Sequence, residues 1–260
     1  MLNRRELLVF MAAGAVAAKA NDYPTHKPRV EILWKSPDGA GNALEATEEG
    51  LWVGEQITDN AYLLDWKTGK VLRKVPTESS NTSGIAYGGG FLWMAANGSA
   101  SRRIKRPTDA KSGAAEVVKI DAKTGRTVAH HLVPGGGGVH GLTWAQDALW
   151  ITTLRNKTLT QVDVNFNILH TIPVTLDRAH GLAWDNGSIW SVFSNDLIIQ
   201  RLNARNGNVM EAVQLTDSDP EPHGMTRFQE TFYFCNAGIG SDQKIPARKN
   251  YPGYICRIHL

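Results

Sequence analysis

Five times in this chain a short polar side chain or a histidine stands ten residues ahead of an aromatic residue in an apolar run. The pairs are Asn42 and Trp52, Ser83 and Trp93, His140 and Trp150, His180 and Trp190, and His223 and Tyr233. A spacing held through five copies means one structural unit repeated. Such a unit cannot bury its apolar face alone, so the copies must pack on one another.

Each copy reads the same way. A short segment follows the polar position, as in Gly141-Leu142-Thr143-Trp144 and Gly181-Leu182-Ala183-Trp184, and turns tightly, as at Asp185-Asn186-Gly187. The aromatic strand comes next, for example Leu149-Trp150-Ile151 and Phe232-Tyr233-Phe234. A third strand ends at Leu64-Asp65, Ile120-Asp121, Val162-Asp163 or Leu202-Asn203, and a fourth leaves a turn such as Lys67-Thr68-Gly69 or Lys123-Thr124-Gly125. Asn, Asp and Gly are the residues that hairpin turns require. No helical periodicity competes.

Four antiparallel strands recurring every forty to fifty residues predict an all-β, five-bladed β-propeller. The fifth copy has no fourth strand before Leu260, and the strand-like Val30-Glu31-Ile32-Leu33-Trp34-Lys35 has no partner of its own. The expectation is that this N-terminal strand completes the fifth blade, closing the ring and removing an open sheet edge. Residues 21–260 then form one domain.

The run from His180 to Trp190 and the phrase Val118-Lys119-Ile120-Asp121-Ala122-Lys123-Thr124-Gly125 resemble repeats of the streptogramin lyase-like and NHL-type β-propeller superfamily. The resemblance spans nearly all of residues 21–260 and implies the fold. It leaves activity open among lyases, lactonases and binding scaffolds, since one fold hosts many functions. Streptogramin lyases have more blades, so no site residue is carried over. Plant-type glutaminyl cyclases are similar in architecture, without a shared motif.

Residues 1–20 read as a leader. Arg4-Arg5 precede an apolar run from Leu7 to Ala18, and Ala18-Lys19-Ala20 fits an A-x-A cleavage site. The run is too short to anchor in a membrane. The expectation is twin-arginine export to a periplasmic or secreted location, with the export machinery as partner and no membrane insertion after cleavage; an ordinary secretory leader with two arginines is the alternative. Of the formal net charge of +3, the leader carries two units, so the remainder is close to neutral and gives no case for nucleic acid. Cys235 and Cys256 fall on what should be adjacent strands, either as a disulfide or as two buried thiols.

In a propeller the first strand of each blade lines the central channel. The five register positions should therefore converge at one mouth, with His140, His180 and His223 adjacent and Asn42 and Ser83 completing the ring. Three imidazoles suit a divalent metal ion with an open position for water or substrate. Without a metal, they suit acid–base catalysis. The competing reading is that each His-Gly pair satisfies backbone groups between blades. Glu45, the one acid in its repeat slot, is expected to assist as base, ligand or ion-pair partner. Asn97, Arg155, Asn195 and Asn236 follow the aromatic strands toward the same mouth and are expected to bind substrate.

Two insertions, roughly 98–114 and 238–252, interrupt repeats two and five on the same face. They carry Arg102, Arg103, Lys105, Arg106 and Lys111, and Lys244, Arg248 and Lys249. Arg103, Lys244 and Arg248 are expected to hold a carboxylate or phosphate at a basic rim. The rival view is two solvated loops. Tyr87, Trp144 and Trp184 share one slot and read as packing between blades, and Trp52, Trp93, Trp150 and Trp190 as core. No phosphate loop, dinucleotide fingerprint, HExxH or GxSxG appears. The leading expectation is a lyase or hydrolase for a small anionic molecule. The alternative is a non-catalytic propeller that binds a ligand or protein.

Overall fold

Alternating apolar strands joined by turn residues fold into five small antiparallel sheets arranged as a ring. The computed structural model describes residues 22–98, 106–107, 109, 114–238 and 253–260. The leader, and with it the expected export signal, lies outside the described residues.

Blade one comprises Gly41–Ala46, Leu51–Glu55, Asn60–Leu64 and Val71–Pro76. Blade two comprises Thr82–Gly88, Phe91–Ala96, Glu116–Asp121 and Thr127–Leu132. Blades three and four repeat the order from Leu142–Ala145 and Ala179–Asp185. In blade five, Met225–Phe228, Thr231–Cys235 and Tyr254–His259 are completed by Arg29–Lys35, which pairs antiparallel with the last strand from Arg29↔His259 to Lys35↔Tyr254. The closure expected from the sequence is therefore present. One pairing was not expected: Thr25–His26 adds in parallel to the outer strand of blade four, so the N-terminal segment ties two blades together.

Five apolar clusters hold the ring, each shared by two neighbouring blades. Trp52, Trp93, Trp150 and Trp190 sit within them, nearly fully buried, as core residues. Truncating any one to alanine would cost about 3–5 kcal/mol. The third-to-fourth-strand turns rest on their acidic residue: Asp121 Oδ1 accepts from the Thr124 amide and hydroxyl, and Asp65 Oδ1 does the same with Thr68.

Cys235 and Cys256 are free, buried thiols. Phe234 is the cross-strand partner of Cys256, whereas Cys235 faces Ile255. Cross-strand partners share a sheet face and successive residues do not. The two cysteines thus point to opposite faces, Cys235 toward blade one and Cys256 toward blade four. Burial pushes both thiols well above their ordinary range, Cys256 to about 12.

Candidate functional site

The first strands of the five blades touch in order round the axis, blade five returning to blade one, so the register residues meet at one mouth. The ring centroids of His140 and His180 lie 4.3 Å apart, and those of His180 and His223 4.6 Å apart. Asn42 closes the arc: its Nδ2 donates to the Thr82 carbonyl at 3.2 Å, which leaves Oδ1 to accept from His223 Nδ1 at 2.9 Å. Ser83 donates to the Val139 carbonyl at 2.6 Å. Ser83 therefore serves the backbone entering blade three.

Asn97 joins this group. Its Oδ1 takes the Val139 amide at 3.3 Å, so its Nδ2 is the donor to His140 Nε2 at 2.9 Å. His140 accordingly carries its proton on Nδ1, and that buried atom has no partner within the protein. Nδ1 of His180 is likewise buried and without a partner within the protein. Buried polar atoms of this kind call for a ligand or an ordered water.

Two residues not singled out from the sequence complete the mouth. Glu221 Oε1 stands 3.3 Å from His223 Nε2, and Asn236 Nδ2 donates to the Glu221 carbonyl at 3.4 Å. Arg178 Nη1 lies 3.0 Å from Asn195 Oδ1 and 3.6 Å from Glu221 Oε1. Each stands two residues ahead of a ring histidine, in the loop that leads into the inner strand, and Arg178 is turned there by a left-handed backbone with φ +56°. That offset was the available signal. Burial first, then the Arg178 guanidinium and His223, lowers His140 to about 3. Burial also holds His180 well below the usual range, with His140, His223 and Arg178 adding to the effect. Both imidazoles are therefore neutral near pH 7.

The glycines that follow the ring form a neck. A β-carbon on Gly84 would lie 2.4 Å from the His140 carbonyl oxygen, and one on Gly141 1.8 Å from that of His180. On Gly181 it would meet the Met225 nitrogen at 2.2 Å, and on Gly224 the Ala43 Cα at 2.4 Å. Neighbouring backbones touch there, so the histidines occupy a closed mouth rather than an open tube.

Glu45 lies beyond that neck, away from the histidines. It lines a separate cavity of about 150 Å³ at the opposite end of the axis, with Thr143, Thr226 and Arg227. Its Oε1 accepts the Tyr87 amide at 3.2 Å. Arg227 turns instead to Asp185 and Glu230, at 3.4 and 2.6 Å. Burial raises Glu45 to about 8, against the smaller lowering effect of hydrogen bonds from Tyr87 and Thr226. A carboxyl raised from 4.5 gives stability fully present below pH 4.5 and lost as the pH rises through about 8. Glu45→Gln should therefore raise the melting temperature at pH 8.5 by several degrees, on the order of 2 kcal/mol, and leave it nearly unchanged at pH 4.5. Thermal melts at the two pH values check this, and equal shifts at both would refute it.

Arg155 is exposed, its nearest acceptor the Gly135 carbonyl at 3.4 Å, so it braces the glycine-rich lead-in to blade three. Of the basic insertions, Arg106 is described: it donates to the Thr77 and Ser79 carbonyls and to Asp109, with Asp59 3.8 Å away. Its guanidinium is a structural clasp. Arg103, Lys244 and Arg248 lie outside the described residues. Among the described residues no group of three or more His, Cys, Asp or Glu side chains is arranged to hold a metal ion. The ring nitrogens explain why: His140 Nε2 is taken by Asn97 and His223 Nδ1 by Asn42. Among the described residues the expected metal therefore finds no ready set of ligands.

No protein-family model and no curated protein sequence matches this chain. Solved structures do. The glutaminyl cyclase of Myxococcus xanthus superposes with a TM-score of 0.63 at 12% identity, over 90% of this chain and 97% of that one. A streptogramin B lyase gives 0.52 at 15% identity, over 90% and 98%. A catalytically inactive histidine-to-alanine variant of virginiamycin B lyase from Staphylococcus aureus, solved with quinupristin, gives 0.51 at 18%, over 87% and 68%. The likeness is one of fold. It bears out the resemblance to streptogramin lyase-like propellers at that level, and the five-bladed architecture with it.

Proposed function

We propose that this chain is a lyase or hydrolase that takes a small anionic molecule at the histidine mouth. The observation that carries the reading is the pair of buried, unpartnered Nδ1 atoms on His140 and His180 beside Arg178 and Glu221. An N–H on His140 and a guanidinium edge on Arg178 suit a carboxylate or phosphate. His180, neutral at working pH, is placed to take a proton from a bound molecule. His223, between Asn42 and Glu221, is placed to deliver one. Base and acid on adjacent blades serve an elimination or a hydrolysis alike. The virginiamycin B lyase variant, inactive after loss of a histidine, accords with histidine chemistry on such a fold. Asn97 and Asn42 are positioning residues, since they act through the imidazoles they hold. Residues 1–20 would direct this chemistry to the periplasm or beyond.

The experiment is a screen of small carboxylates, lactones and phosphate esters against mature protein recovered from a periplasmic fraction, read by mass spectrometry. Addition of water to the substrate marks a hydrolase, and loss of a fragment without it an elimination. Turnover is expected to fall at least about 100-fold in His180→Ala and in Glu221→Gln, and Arg178→Ala is expected to raise KM more than it lowers kcat. Saturable anion binding without turnover would replace this reading by a binding propeller. Activity untouched by all three substitutions would remove the mouth from consideration.

A further inference from the structure

The five clefts between blades, on the face opposite the histidines, are equivalent by repeat and can be compared slot by slot. Between blades five and one, Trp66 fills the cleft: it stacks on Phe228 at 4.7 Å, leans on Tyr233 at 5.2 Å, and donates its indole N–H to the Thr47 carbonyl at 2.8 Å. Between two and three, Trp144 stacks on Trp93 and Phe166 on His131. Between four and five, Phe232 meets Trp190 at 4.8 Å. The cleft between three and four retains about 440 Å³, narrowed by Trp184 and by His170 edge-on to Trp150.

Between blades one and two the filler is missing. The residue after the turn acid, Trp66 in blade one, is Ala122 in blade two. Tyr87, expected as packing like Trp144 and Trp184, is instead 38% exposed. What remains is a cavity of about 810 Å³ with Trp52, Tyr87 and Phe228 in its walls. That is a size typical of small-molecule sites. Its rim carries both signs of charge. Arg73 is engaged by Glu49 at 2.8 Å, and Asp121 by its own turn. Glu48 on blade one and Lys123 on blade two form no ion pair among the described residues and flank the cavity from opposite sides.

We propose that this cleft binds a planar aromatic ring bearing both a carboxylate and an ammonium group, that is, a free aromatic amino acid. The ring takes the place that Trp66 occupies one cleft earlier, against Tyr87 and Phe228, with the Arg73 guanidinium over the buried Trp52 beneath. The carboxylate faces Lys123 and the ammonium faces Glu48. This site is separate from the histidine mouth and does not depend on the reading given to it.

The test is calorimetric and ligand-detected NMR titration of the mature protein with L-tryptophan. A Kd on the order of 0.1–1 mM is expected for a ligand of that size. L-alanine, which lacks the ring, should not bind, and indole, which lacks both charges, should bind more weakly. Ala122→Trp, which copies the filled cleft, should abolish binding with the melting temperature retained. Should that variant fail to fold, Glu48→Gln and Lys123→Ala carry the test, each weakening binding about 3- to 10-fold. His180→Ala should leave binding unchanged. The proposal is overturned by absence of saturable binding, by binding that survives in a folded Ala122→Trp, or by binding lost in His180→Ala. Binding of a tryptophan-bearing peptide without binding of the free amino acid would also overturn it.

Discussion

Replacing Gly141 by alanine should destabilise the protein by at least about 3 kcal/mol, lowering its melting temperature by roughly 6–12 °C, or prevent folding outright. The added β-carbon would lie 1.8 Å from the carbonyl oxygen of His180, a backbone atom of the next blade's inner strand. A flexible side chain could swing aside, but this carbonyl belongs to a strand fixed by its own sheet. Relief would require blades three and four to move apart at the axis, where the ring is narrowest. Gly187→Ala is the control: its φ is +85° but nothing lies within 4 Å of a β-carbon there, so only local backbone strain of about 1 kcal/mol is expected. Thermal melts of the two variants decide the matter. Equal losses would show that the neck is not a tight contact between blades.

The second large effect is acid lability. The ordinary histidine value is 6.5, and His140 is held near 3 with His180 lowered in the same direction. Between those limits the unfolded chain binds protons that the folded chain refuses. Stability is therefore fully present above pH 6.5 and is lost as the pH falls toward 3. At pH 4.5 the contribution of His140 alone amounts to up to about 3 kcal/mol, and His180 adds to it. Urea unfolding at pH 7 and pH 4.5 should show the difference, and the paired change His140→Gln with His180→Gln should remove most of it. NMR should find neither imidazole titrating between pH 5 and 8. A titration near 6.5 for either would place that ring in water and deprive the mouth of its neutral base.

Much of this was legible in the sequence because repetition amplifies a weak signal. One histidine before one glycine says little. Three of them in register, each followed ten residues on by an aromatic, locate an inner strand, a core residue and a blade together. The N-terminal strand could be assigned because the ring had one vacancy and the chain one spare strand. Glu45 was legible as an unusual acid but not as a distant one. It sits only three residues past Asn42, yet the glycine neck falls between them. Arg106 read as part of a basic rim because sequence shows charge and not the carbonyls of Thr77 and Ser79 that surround it. Glu221 and Arg178 carry no repeat signal, because the equivalent positions in the other blades are Ala40, Asn81 and Gly138.

The ten-residue register by itself determined the blade count, the ring closure and the convergence of Asn42, Ser83, His140, His180 and His223, because each follows from strand periodicity and from burial shared between equal neighbours. Tertiary structure alone decided which polar atoms at the mouth remain unpartnered, on which side of the neck each carboxylate lies, and how far each of five equivalent clefts is filled. Those outcomes depend on distances between residues far apart in the chain, set by how backbones meet at the axis. Local sequence carries no measure of such distances.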